Sequence, residues 1–176
     1  MNFRQLIEQS TAHFENQSYQ VENVFSIHIF TNGAKWMYEK LAYLDSLKEL
    51  KFDKNSNFTF YGCLKYGICL IFSIISLLLL LKKTIFLTPI SIIVFYFLEV
   101  HFLFLFPLLI DKVRNPILTS IKQTYRIGIL KTMQTVSQIG LFMILGLLNL
   151  KNPFKNWHIG CLAILIWYQN EVRNRI

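Results

Sequence analysis

The stretch Tyr61–Ile110, YGCLKYGICLIFSIISLLLLLKKTIFLTPISIIVFYFLEVHFLFLFPLLI, decides the fold. No charged side chain lies between Ile68 and Leu81, and Lys82-Lys83 end that run abruptly. The first span is therefore read at about 61–81. Lys65 stands one turn inside its start, where a long apolar stem lets an ammonium snorkel to the headgroups. Thr84 opens a second apolar run at once, so the connection is a tight helical hairpin. That run, 85–110, makes roughly 39 Å of helix against a hydrocarbon core of ~30 Å, so it must tilt, bend or emerge. Pro89 and Pro107 are its natural bending points, because each removes a backbone donor.

Moving outward, the sequence predicts a third span at about 132–150, entered through Gln134, Ser137 and Gln138. The apolar run from Ile159 to Tyr168 is short. Trp157 and Trp167 are only about 15 Å apart along a helix and cannot mark opposite interfaces. The segment 156–172 is read as a short crossing within a bundle rather than a re-entrant one. Between the second and third spans, Asn115-Pro116 starts a helix at about 116–131 with Pro at the first position. Its apolar residues Ile117, Leu118, Ile121, Tyr125 and Ile129 share a face, and Thr119, Lys122 and Arg126 another. With Lys112, Arg114 and Lys131 nearby, this predicts an interfacial helix on anionic headgroups.

Residues 1–60 carry a net charge of −1 and form an amphipathic cap, whereas 61–176 carry +9. Phe3–Phe14 has helical periodicity. Phe25–Ile29 alternates apolar and polar residues as an extended stretch would, Asn32-Gly33 signals a turn, and Ala34–Leu50 repeats apolar residues every three or four positions. The expected architecture is all-α: a small multi-pass membrane bundle of three to four transmembrane helices with an N-terminal cap. The first residues hold no continuous apolar core of the signal-peptide kind. With the N-terminus inside, ten cations of the short connections fall on the cytoplasmic side and four on the other, which predicts N-in and C-in. A bacterial inner membrane suits the small size.

The positive charges bracket apolar runs, as they do at membrane borders, and this argues against a nucleic-acid partner. The partners expected are the bilayer, its anionic headgroups, and a membrane protein or a second copy. Cys63, Cys69 and Cys161 have neither zinc nor disulfide-framework spacing and read as small buried side chains. No metal motif, P-loop or nucleophile elbow occurs, so no metal and no cofactor is expected.

Glu99 is the most informative residue. A carboxylate deep in the bilayer costs about 2.5 kcal/mol or more on insertion scales, so it should face protein or water. Tyr96, three residues earlier, shares its face. His101 points roughly 200° away and does not converge with it. Two readings follow. A structural one bonds a protonated Glu99 to Tyr96, Gln134 or Gln138, and His101 to a carbonyl or to Ser73 or Ser76. A functional one makes Glu99, with His101 and Asp111, an acid/base, proton-handling or lipid-binding centre. Asp111 has Arg114 at ion-pair spacing, Lys131 with Gln134 and Gln138 forms a stripe able to meet an anionic headgroup, and His158 beside Trp157 reads as interfacial. The sequence favours a non-enzymatic accessory or assembly subunit over an enzyme or transporter of lipids or protons.

Overall fold

A computed structural model of the chain describes residues 1–15, 29–44, 52 and 56–175, and it is all-helical, with no strand among them. The elements are α1 (Phe3–Glu15), α2 (Ile29–Leu44), α3 (Phe58–Leu81), α4 (Ile90–His101), α5 (Leu105–Ile110), α6 (Pro116–Ile127), α7 (Ile129–Leu147) and α8 (Lys155–Glu171). A single 3-10 turn, Ile85–Leu87, joins α3 to α4. Three helical stretches are long and apolar enough to cross a membrane: Phe58–Leu81, Ile85–Ile110 and Ile129–Leu147. Helix α8 is not among them. It is enclosed by protein, with Ile159, Leu162, Ala163, Leu165, Ile166, Trp167 and Tyr168 all buried.

The α3–α4 corner is as tight as the sequence implies, and its hydroxyls replace the donor that Pro89 lacks. Thr84 Oγ1 accepts from the Phe86 amide, Thr88 Oγ1 donates to the Ile85 carbonyl at 2.8 Å, and Ser91 Oγ donates to the Thr88 carbonyl at 2.7 Å. Ser73 Oγ donates across the hairpin to the Ser91 carbonyl at 2.9 Å and fixes the register of the pair.

The second span is not one regular helix. It breaks at Phe102–Phe104, between α4 and α5, one turn before Pro107. A proline has no amide to offer the carbonyl four residues back and its ring crowds that carbonyl, so the helix yields at this point. Backbone groups at such a break need partners inside the protein, and α6 supplies them. Ser120 Oγ donates to the His101 carbonyl at 2.8 Å and accepts from the Phe104 amide at 3.3 Å, while Thr124 Oγ1 donates to the Val100 carbonyl at 3.0 Å. The polar face that α6 buries is therefore Ser120, Gln123 and Thr124, with Leu118 and Tyr125 exposed. The predicted 116–131 helix also ends early. Gly128, at φ 105°, separates α6 from α7 in a backbone conformation that L side chains rarely adopt.

Beyond the break every residue from Phe102 to Ile110 is buried, against the cap, α6 and α8. Phe30 stacks on Phe106 at 6.2 Å, and Phe58 stacks on Phe106 at 6.4 Å and on Phe52 at 5.6 Å. Asn32 and Gly33, read as a turn, lie inside α2, which runs Ile29–Leu44 rather than from Ala34. Burial of Ala34 and Leu41 on one face overrides the weak local turn preference. The extended stretch 25–28 and the end of the predicted helix at 45–50 lie outside the described residues, and Ile29 is helical. Cys69 is buried but Cys63 is exposed, against the expectation of three buried thiols.

Helices α7 and α8 form a second antiparallel hairpin, shallower than the first. A Cβ on Gly140 would meet the Tyr96 hydroxyl at 3.0 Å, and one on Gly160 would meet Ile139 and Met143, so α4, α7 and α8 share one level there. Along the helix axes, the Lys82-Lys83 corner lies roughly 17–20 Å beyond that level, but Leu147 and Lys155 only about 8–11 Å. Helix α1 runs antiparallel to α8, with Met1 beside Glu171 and Glu15 pairing with Lys155 at 3.3 Å. Its outward residues Gln5, Glu8 and Gln9 are exposed.

If α6 holds the broken span together, Ser120→Ala should destabilise the protein by about 1–3 kcal/mol, the usual cost of stranding buried backbone groups. Thr124→Val should cost less, since the Val100 carbonyl keeps the Leu103 amide at 3.2 Å. Thermal unfolding in detergent micelles, followed by circular dichroism, measures both. An unchanged midpoint for Ser120→Ala would contradict this account of the break.

Candidate functional site

Glu99 lies one turn from the end of α4, and Lys65 lies two turns into α3, on the facing side of the hairpin. Their charged groups meet at 3.1 Å, with the lysine side chain 6% and the glutamate 19% exposed. Lys65 is thus not a snorkelling border residue, and Glu99 does not bond to Tyr96, Gln134 or Gln138. The two charges remove each other's need for solvent. In a low-dielectric setting, breaking such a pair strands one ion, whereas replacing both by apolar groups is often tolerated.

The surroundings of the pair are protein on several sides. Cys69 of α3 and Cys161 of α8 lie close enough to feel its charges, and the Lys65 ammonium stands 5.1 Å from the centroid of the Tyr66 ring. Tyr96 points away to α7, toward Gly140. No group of three or more His, Cys, Asp or Glu residues able to hold a metal ion occurs among the described residues. The site can therefore hold charge, with Tyr66, Cys69 and Cys161 as titratable neighbours of the pair.

His101 is engaged separately. Its Nδ1 lies 2.6 Å from the Phe97 carbonyl and its Nε2 3.2 Å from the Tyr125 hydroxyl. A carbonyl can only accept, so Nδ1 carries a proton, and in the neutral ring Nε2 accepts from the tyrosine. Neither Ser73 nor Ser76 is its partner, and it stays apart from Glu99 as helical geometry requires.

Asp111 does not pair with Arg114. It receives a hydrogen bond from the Tyr168 hydroxyl at 2.6 Å and pairs with Arg173 at 2.9 Å, all on buried or half-buried side chains. Lys112 turns the chain sharply after α5 with φ 56°, carrying Arg114 elsewhere. Carboxylate, phenol and guanidinium here tie the end of the second span to the chain's last helix. His158, in α8, packs at a tilt against Trp36 with ring centroids 5.8 Å apart and is half-buried, so it belongs to the contact between α2 and α8.

The expected headgroup contacts are surface residues: Lys112, Arg114, Lys122, Arg126 and Lys131 are all exposed. Lys131, Gln134 and Gln138 do form one stripe, and it borders a cavity of about 310 Å³ under the start of α1 that sequence reasoning had not placed there. Burial opposes ionisation of Glu171 close by. The terminal ammonium of Met1, with Lys131 and Arg175, outweighs it and holds that carboxyl below its ordinary range.

Neither a family model, nor a curated protein, nor a solved structure matches this chain.

A double-mutant cycle checks the pair. Glu99→Leu and Lys65→Met, each alone, should cost about 3 kcal/mol or more by leaving one charge buried without its counter-ion. Lys65→Met combined with Glu99→Leu should recover most of that loss. Additive losses across the cycle, read from unfolding in micelles, would mean that the two side chains do not interact.

Proposed function

We propose that this chain is a small multi-pass membrane protein serving as a non-enzymatic accessory or assembly subunit beside another membrane protein. The observation carrying this reading is the polar flank made by α1 against α8. If Lys82-Lys83 mark one hydrocarbon border, a core of ~30 Å places the other about 11 Å past the level of Tyr96 and Gly140. The exposed Gln5, Glu8 and Gln9 of α1, and the exposed Lys151, then fall between the two borders. So does the Glu15–Lys155 pair, whose side chains are 60% and 39% exposed. Charges facing hydrocarbon cost several kcal/mol, so this side needs a polar neighbour, and a protein partner provides one. The opposite side is lipid-like throughout, with Leu70, Ile71, Ile74, Ile75, Leu78 and Leu79 all exposed on α3.

The state of Glu99 supports the same reading. A carboxylate closed into an ion pair is a structural fastening, and the alternative of an enzyme or transporter handling lipids or protons would need it free. The orientation suggested by the cation count is part of the proposal. Lys112, Arg114, Lys122, Arg126, Lys131, Arg173 and Arg175 gather at the end where α1 begins, which is assigned to the cytoplasm.

Two measurements test it together. A photo-reactive residue at Glu8 or Gln9 should form one discrete protein adduct in native membranes, whereas Ile75 and Leu78 should label only lipid. Lys65→Met with Glu99→Leu should complement deletion of the gene as the unaltered chain does. Lipid adducts at Glu8, or a stable paired variant that fails to complement, would return Glu99 to the centre of a proton- or lipid-handling mechanism.

A further inference from the structure

The cavity between the start of α1 and the first turns of α7 belongs neither to the ion pair nor to the flank. Its walls include Asn2, Arg4, Lys131, Gln134, Thr135 and Gln138, and it encloses about 310 Å³, at the lower end of the size of small-molecule sites. Its lining contains two cations, three amides and a hydroxyl, and no carboxylate. Among the described residues, neither Arg4 nor Lys131 makes an ion pair within 4.0 Å. Glu171, close to Lys131, is committed to the Met1 ammonium.

The walls are also held in place. Asn2 Oδ1 accepts from the Gln5 amide at 3.0 Å and Gln5 Oε1 accepts from the Asn2 amide at 3.1 Å, a reciprocal cap that fixes the first turn of α1. Thr132 Oγ1 bonds back to the Gly128 carbonyl at 2.9 Å, and Thr132 and Thr135 are buried, which sets the face that α7 turns outward. Exposed amides and cations on two anchored helices form a fork suited to phosphate oxygens, which accept from both.

Depth selects the source of that phosphate. Along α7, Lys131 lies about 13 Å from the level of Gly140, and along α1, Arg4 lies about 12 Å from it. Both reach the hydrocarbon border estimated at about 11 Å, with the headgroup layer beginning there. Gln134, about 9 Å from the level of Gly140, lies just below, where the glycerol and ester groups of a lipid sit, and Gln138, about 3 Å from it, lies deeper. We propose that this cavity binds the headgroup of an anionic phospholipid, with Arg4 and Lys131 on the phosphate and Gln134 on the groups beneath it. The site is distinct from the general attraction of α6, whose Lys122 and Arg126 are exposed on a convex surface.

The experiment is native mass spectrometry of the full chain released from nanodiscs of phosphatidylglycerol or phosphatidylcholine. One phosphatidylglycerol should stay bound under conditions that strip phosphatidylcholine. Arg4→Gln with Lys131→Gln should weaken its retention about tenfold or more, as loss of two border cations implies. Lys131→Gln alone, which leaves α1 untouched, should show part of that loss, and the α6 control Lys122→Gln with Arg126→Gln should show almost none. Inorganic phosphate at millimolar concentration should not displace the lipid. Equal retention of both lipids, an α6 control as weak as the cavity variant, or displacement by phosphate would overturn the proposal. The last outcome would make it a site for free anions.

Discussion

A charge cannot face hydrocarbon at small cost, and the Lys65–Glu99 pair is where this chain meets that constraint. The two side chains lie at the boundary between a hairpin with an exposed apolar surface and a cap of aromatic residues. Below them α3 and α4 touch chiefly one another. Above them α3 enters the stack of Phe30, Phe52, Phe58 and Phe106. An ion pair contributes little net stability against an apolar alternative, but it has a direction and a register that leucine contacts lack. Sliding α3 by one turn past α4 would preserve most apolar contacts and would still separate the two charges.

The same logic applies to the backbone. Pro107 interrupts the second span, and the groups it disturbs do not reach water. They are met by Ser120 and Thr124 of a helix that looks, by composition, like a surface element. Helix α6 thus presents three faces: cations outward, leucine and tyrosine to one side, hydroxyls to the break. Its polar buried face explains why a short amphipathic segment is held at a fixed place against α4 and α5.

Much of the fold was legible in the sequence, because uninterrupted apolar runs have few places to settle. The two long spans, the tight corner and the amphipathic first helix follow from hydropathy and periodicity. The partner of Glu99 did not. Lys65 near the start of an apolar run satisfies the snorkelling rule, and that local rule concealed a non-local contact. A signal was nevertheless present. Counting seventeen residues outward from Lys82 reaches Lys65 in one direction and Glu99 in the other, as an antiparallel helical hairpin requires. The Asp111–Arg173 pair and the meeting of Arg4 and Lys131 at one cavity could not have been counted this way, since each depends on how separate elements pack. Asn32-Gly33 failed for the converse reason, as a local turn preference was overridden by burial of Ala34 and Leu41 on one face of the helix.

The unequal depth of the two hairpins is the feature that links architecture to role. Had α7 and α8 been as long as α3 and α4, both connections would have reached one border and the chain would have a uniform apolar girdle. Instead the second hairpin stops roughly 10 Å short, and α1 lies along it with its polar side outward. Selection for a self-sufficient bundle would remove exposed Glu8 and Gln9 at little structural expense, since neither of them is buried. Their presence makes sense where this side is covered. On the proposed reading, a chain apolar on one flank, polar on the other and fastened internally by its ion pair serves as a component of a larger membrane assembly.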